Sequence, residues 1–141
     1  MRTFLKNIVP RTLPVMTGYL FLGFSFGIFS NSQGISPLMT MLMSLLIYSG
    51  TLQFAAISVL QTAFDPLGIL LLSLMVSARM LFYGITLLEK YKGLRPGAKQ
   101  VAIFGLTDET FSLVVTNQVP VDLDPSSFFA GISAMNYSYW L

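Results

Sequence analysis

Apolar residues run along this chain in long blocks rather than in alternation, and short polar or proline-bearing segments separate the blocks. The first block covers about residues 12–30, the second about 37–60 and the third about 66–88. A fourth, less apolar block covers about 100–119, and a fifth occupies about 126–141. A helix needs about 20 apolar residues to cross the hydrocarbon core of a bilayer. The pattern therefore predicts an all-α fold, a polytopic integral membrane helix bundle forming one transmembrane domain over 1–141. The fifth block is shorter than a span and reads as a helix cut short, in the N-terminal part of a longer membrane protein or in a decayed gene product. Asn136, Tyr137, Tyr139 and Trp140 near its end also have the composition of an interfacial belt.

The block boundaries carry capping chemistry. Ser36-Pro37, Asp65-Pro66 and Asp124-Pro125 each place a capping side chain before a proline at a predicted helix start. Proline suits that position because its missing N–H would have no partner in the first turn. Arg95-Pro96-Gly97 reads as a turn in the one well-charged loop.

Composition sharpens the membrane reading. Hydrophobic residues make up 54% of the chain and charged residues 10%, with a mean hydropathy of +0.71. Soluble domains carry about 25% charged residues, so this chain lacks the side chains to cover a water-facing surface. No Asp, Glu, Lys or Arg occurs between Arg11 and Asp65. The first block is too long for a signal peptide, and no small-residue cleavage site follows it. The net charge of +2 rests on eight basic residues that mostly flank the blocks, a membrane protein's distribution and no nucleic-acid footprint.

Those flanks conflict with simple crossing. Arg2, Lys6 and Arg11 precede the first block, and Lys90, Lys92, Arg95 and Lys99 follow the third. Three crossings would place the two clusters on opposite sides, against the positive-inside tendency. Either the tendency fails here or one block enters and leaves on the same side. The second block is the candidate for a broken or re-entrant element, because Ser49-Gly50-Thr51-Leu52-Gln53 puts weak helix formers and polar groups at its centre.

Ionisable residues inside spans are the sharpest chemical signal, since each costs about 2.5–3.5 kcal/mol at a helix centre on insertion scales. Arg79 lies near the middle of the third block, and Asp108 and Glu109 near the middle of the fourth. At 100° per residue Arg79, Tyr83 and Thr86 share a face, as do Gly105, Asp108, Ser112 and Thr116, with Glu109 at its edge. Two readings stand side by side: a solute pathway, or an internal pair of Arg79 with Asp108 or Glu109 that fixes helix packing. Gly50, Thr51 and Gln53 form a second candidate site, where an unwound segment would offer backbone N–H groups to a carboxylate. The alternative there is close helix packing with Gln53 bonded across helices. Gly23 and Gly27 form a GxxxG packing face.

The chain holds no cysteine and no histidine, which removes disulfides, thiol catalysis, Cys/His metal sites and histidine bases. Enzyme and cofactor motifs are missing, and an aspartyl intramembrane protease needs a second intramembrane aspartate beside Asp108. The residues therefore point to a non-enzymatic membrane protein without cofactor or metal.

Ser44-Leu45-Leu46-Ile47-Tyr48-Ser49-Gly50-Thr51-Leu52-Gln53-Phe54-Ala55-Ala56 resembles the glycine- and QF-bearing signature of AzlC-type branched-chain amino-acid permeases. Ser77-Ala78-Arg79-Met80-Leu81-Phe82-Tyr83-Gly84 and Gly105-Leu106-Thr107-Asp108-Glu109-Thr110-Phe111-Ser112 resemble two further segments of that family, in the same order and spacing. The resemblance covers essentially the whole chain and extends to Pro14, Gly18, Gly23 and Gly27. It departs at Ser77, where asparagine is common, and at Met80, where histidine is common. A proton relay through that histidine does not operate here.

The resemblance implies a secondary transporter subunit that exports Val, Leu and Ile across the bacterial inner membrane as a multi-pass protein, with a small AzlD-type membrane partner. On that reading Arg79 binds or balances the substrate carboxylate, and Asp108 or Glu109 faces the amino group or a coupling proton. The alternatives are a non-transporting membrane assembly subunit or truncated remnant that associates through Gly23 and Gly27, and a channel lined by the charge pair.

Overall fold

Each of the three Ser/Asp–Pro pairs opens a helix. Ser36 accepts from the Met39 N–H, Asp65 from the Gly68 N–H and Asp124 from the Ser127 N–H, each with proline in the first turn. The computed structural model describes residues 2–61 and 65–141, with side chains from Phe4 onward, so Arg2 of the N-terminal cluster lies outside the described side chains. Among the described residues the chain forms α1 (Arg2–Ser32), α2 (Pro37–Leu46), α3 (Gly50–Gln61), α4 (Pro66–Ser77), α5 (Arg79–Tyr91), α6 (Pro96–Phe104), α7 (Asp108–Thr116) and α8 (Pro125–Trp140).

The fold is an all-helical membrane fold, and two of its helical segments are long and apolar enough to cross a bilayer. One is Phe4–Ser32; the other is Pro66–Tyr91, formed by α4 and α5 end to end. No residue of α4 is buried, and its leucines face outward as a lipid-contacting surface requires.

The other two apolar blocks are broken. The second stops at Leu46 and restarts at Gly50, as the weak helix formers at its centre predict. Its ends return to the same end of the bundle: Thr40 Oγ1 lies 2.6 Å from Ser30 Oγ, and Gln61 Nε2 donates to the Gln33 carbonyl at 3.3 Å. The α2–α3 unit is therefore a hairpin lying beside the C-terminal half of α1, where Phe26, Met43 and Ile57 form a small core.

The fourth block differs from its single-helix expectation. Pro96-Gly97 opens α6 instead of making a turn, because Pro96 occupies the first helical turn where it loses no hydrogen bond. The helix ends at Gly105 and a new one starts after Thr107. Arg95 N–H donates to Ser126 Oγ at one end of this unit, and Arg11 Nε donates to Asn117 Oδ1 at the other. Arg11 also lies over the Phe128 ring, at the start of α8. Both ends of α6–α7 thus lie beside the N-terminal end of α1, making a second hairpin that enters from the opposite end to the first. The proposed common face of Gly105 with Asp108, Ser112 and Thr116 does not exist, since the break separates Gly105 from the rest.

This topology dissolves the charge conflict. With α2–α3 turned back on itself, Lys6 and Arg11 share one end of the bundle with Lys90, Lys92, Arg95 and Lys99. α8 rises from that end between α1 and α6, and its Phe128, Phe129 and Ile132 centre the larger core with Ile8, Leu87, Ala102 and Val114. Gly23 and Gly27 do not pack as expected: among the described residues a Cβ added at either meets nothing within 4 Å, and both line a wide groove between α1, α2 and the end of α8.

Candidate functional site

The helix breaks at 47–49, at Ala78 and at 105–107 lie at similar depth and face one cavity of about 290 Å³. Three helices, α3, α5 and α7, begin beside it, at Gly50, Arg79 and Asp108. A helix start leaves backbone N–H groups without intrahelical partners and carries partial positive charge. In α7 the chain's own Asp108 and Glu109 fill that first turn, whereas the first turn of α3 contains no acid.

The ionic centre is the Arg79–Asp108 salt bridge. The two side chains remain 41% and 40% exposed, so the pair opens onto the cavity instead of being sealed in the core. Tyr83 holds the carboxylate from the other side, its hydroxyl donating to Asp108 Oδ1 at 3.0 Å while its ring stacks on Phe111 at 4.1 Å. Glu109 takes a different partner: the Tyr19 hydroxyl donates to its Oε2 at 3.1 Å. Tyr19 is buried and lies 3.1 Å from Thr107 Oγ1. Thr107 caps α7 by accepting from the Thr110 N–H, and the buried Asn136 amide donates to Thr110 Oγ1 at 2.9 Å. A polar chain thus runs from α8 through the cap of α7 to the acids.

Across the cavity, α8 also serves the tip of the first hairpin. The last turn of α2 leaves carbonyls without intrahelical donors. Trp140 Nε1 donates to the Ser44 carbonyl and the Tyr137 hydroxyl to the Leu45 carbonyl, each at 3.1 Å. The Tyr48 ring packs edge-on against both aromatics. Among the described residues Arg79 Nε is buried and has no hydrogen-bond partner. Leu22, Phe54 and Met80 give the cavity an apolar wall.

Of the residues singled out from the sequence, Arg79, Asp108, Glu109, Gly50 and Thr51 line this cavity, and Tyr83 reaches it through Asp108. Gln53 does not. It is 2% exposed and donates to Ser44 Oγ at 3.0 Å, which binds α3 to α2. Ser112 lines a shallow groove between α1 and α7 that adjoins the cavity and shares Tyr19, Leu22, Asp108 and Glu109 with it, and Thr86 donates to its own helix at the Phe82 carbonyl. Sequence reasoning missed Tyr19, Thr107 and Trp140 as site residues. Trp140 and Tyr137 point into the bundle and not toward an interfacial belt. No group of residues suited to a metal ion occurs among the described residues.

The family model described as AzlC protein matches residues 14–141. The branched-chain amino acid transport protein AzlC of Bacillus subtilis (strain 168) is 42% identical over 137 residues, covering 96% of this chain and 53% of the relative. An uncharacterized membrane protein of Haemophilus influenzae is 40% identical over 137 residues, with 96% and 56% covered. The inner membrane protein YgaZ of Escherichia coli is 30% identical over 133 residues, with 92% and 54% covered. The chain spans about half the length of these curated relatives. No solved structure matches it.

Proposed function

The chain belongs to the AzlC protein family, and from that membership we propose that it is part of a secondary transporter that exports branched-chain amino acids as a multi-pass protein of the bacterial inner membrane. The observation that carries the reading is the cavity itself: polar and charged groups from three interrupted helices meet at mid-depth in an otherwise apolar bundle. Ionisable groups at that depth are costly and mark solute or ion pathways. A volume of about 290 Å³ lies at the small end of ligand pockets, which suits a single amino acid.

The geometry refines the roles. Arg79 is already balanced by Asp108, so Glu109 is the acid free to meet the substrate ammonium, with Tyr19 orienting it. The substrate carboxylate faces the unneutralised start of α3 at Gly50 and Thr51, with Arg79 alongside. The aliphatic side chain of Val, Leu or Ile lies against Leu22, Phe54 and Met80. The shared basic end faces the cytoplasm by the positive-inside tendency. A small AzlD-type membrane protein is the proposed partner. The open Gly23–Gly27 face favours a second reading of the chain as an assembly subunit.

The test is intracellular valine and leucine in exporter-deficient bacteria fed valine- or leucine-containing dipeptides, with and without the small partner. Expression lowers accumulation, Glu109→Gln restores it to the vector level, and Asp108→Asn does the same. Unchanged accumulation with confirmed membrane insertion overturns the export reading and favours the assembly subunit.

A further inference from the structure

The two hairpins stand in inverted relation. α1 runs from the basic end to the far end and is followed by α2–α3, whose ends both stay at the far end through the Ser30–Thr40 and Gln61–Gln33 contacts. The α4–α5 segment runs back the other way and is followed by α6–α7, whose ends both stay at the basic end through Arg95–Ser126 and Arg11–Asn117. Each hairpin opens with a proline, Pro37 or Pro96, breaks at the cavity and restarts with a helix start facing it. The order of crossing, hairpin, crossing, hairpin is thus repeated with opposite polarity, an architecture that places a binding site where the two units meet.

The two hairpins are fastened differently. The second is built into the bundle: Ala102, Thr110 and Val114 are fully buried, and Gly105 lies against the Ser133 backbone. At its tip the first touches α8 through two side-chain donors, Trp140 to the Ser44 carbonyl and Tyr137 to the Leu45 carbonyl, with Tyr48 between the rings. We infer that residues 2–61 and 65–116 are two inverted structural repeats, and that the α2–α3 hairpin is the gate between the cavity and the far end of the bundle, latched by Trp140 and Tyr137. The gate rests on the reading of the cavity as a transport site; the repeat does not.

The chain has no cysteine, so single cysteines report directly on a membrane-impermeant methanethiosulfonate reagent applied to right-side-out and inside-out vesicles from expressing cells. Ser32→Cys and Gln61→Cys react from one side, Lys92→Cys and Gln118→Cys from the other; either pair split between sides overturns the repeat. In the Thr51→Cys background, Trp140→Phe removes one donor while keeping an aromatic ring. It raises the reaction rate several-fold from the side that reaches Gln61 and leaves the opposite rate unchanged. Tyr137→Phe, the milder change, raises it less and in the same direction. Unchanged rates in both variants, or equal rises from both sides, overturn the latch. None of these readouts measures flux, so failure of the gate and failure of the export reading are separable.

Discussion

The two hairpins approach one cavity from opposite ends, yet α6–α7 is packed against α8, whereas α2–α3 packs on α1 through Met43 and Ile57 and meets α8 at its tip through side-chain hydrogen bonds. In α6–α7 the break at Gly105 permits close approach to Ser133, and the buried Thr110–Asn136 bond joins the hairpin to α8. In α2–α3 the break at Gly50 leaves room, and among the described residues only the Trp140 ring comes near enough to touch an added Cβ. Close packing makes an element rigid and sensitive to each added atom, whereas a few directed bonds hold a position that is released when those bonds are exchanged. The difference separates a fixed wall of the site, carrying the acids, from a wall that moves.

The strongest way to break this comparison is to add volume at matched glycines. A Cβ at Gly105 would lie 2.7 Å from Ser133 Cβ and 3.2 Å from the Ser133 carbonyl oxygen. Gly105→Val is expected to cost at least the roughly 1–3 kcal/mol of core overpacking, read as a lower thermal unfolding midpoint in detergent. At Gly50 the nearest atom is Trp140 Cη2 at 3.6 Å, an ordinary contact. Gly50→Ala is expected to leave the midpoint unchanged or to raise it by up to about 1 kcal/mol equivalent. Equal losses at both positions would erase the distinction between the hairpins.

A pair of polar deletions sharpens the same contrast at smaller scale. Thr110→Val strips the fully buried Asn136 amide of its acceptor, an expected loss of about 1–3 kcal/mol. Gln53→Leu loses the bond to Ser44 Oγ but replaces a buried amide with an apolar side chain, and the expected loss is about 1 kcal/mol or less. Denaturant or thermal midpoints of the two variants rank them directly.

The smallest effect concerns α8, on which both hairpins lean. The Asp124 carboxyl is held below its ordinary range, first by the Ser127 backbone N–H it accepts at the start of α8 and then by the Ser127 hydroxyl and Arg95. A depressed folded-state value means that this stabilisation is present above the unfolded value of about 3.9 and is lost as pH falls through the folded one. The midpoint gap between wild type and Asp124→Ala should therefore be open at neutral pH and close as pH drops below the carboxylate range. A gap that persists at acid pH would assign the contribution to something other than the ionised cap.

Much of this architecture can be read from residue chemistry. The Ser36, Asp65 and Asp124 caps work because proline and a short acceptor specify a helix start locally. Arg79 and Asp108 stand out because charge is rare in apolar spans, and Tyr83 because helical spacing puts it on the face of Arg79. The break before Gly50 follows from weak helix formers in sequence. Other features have no local signal. Hydropathy runs on through Ala78 and across Gly105 to Thr107, so those breaks look like continuous helix. Pro96-Gly97 has the chemistry of both a turn and a helix start, and only packing against α8 decides. Tyr19 and Trp140 resemble the lipid-facing aromatics around them until a bound carboxylate or carbonyl shows their role. Gly23 and Gly27 have the spacing of a packing face, but among the described residues nothing lies close against them.

The gathering of Lys6, Arg11, Lys90, Lys92, Arg95 and Lys99 at one end has an energetic consequence in a living cell. Glu89, Asp122 and Asp124 share that end, so it keeps a net positive excess, while among the described residues the far end carries Asp65 as its only charge. Moving one elementary charge across a membrane potential of 100 mV changes its energy by about 2.3 kcal/mol. A potential negative on the cytoplasmic side therefore acts on the whole bundle as on a single dipole. It penalises the upside-down orientation in proportion to its own strength, so the energised membrane itself selects one insertion direction.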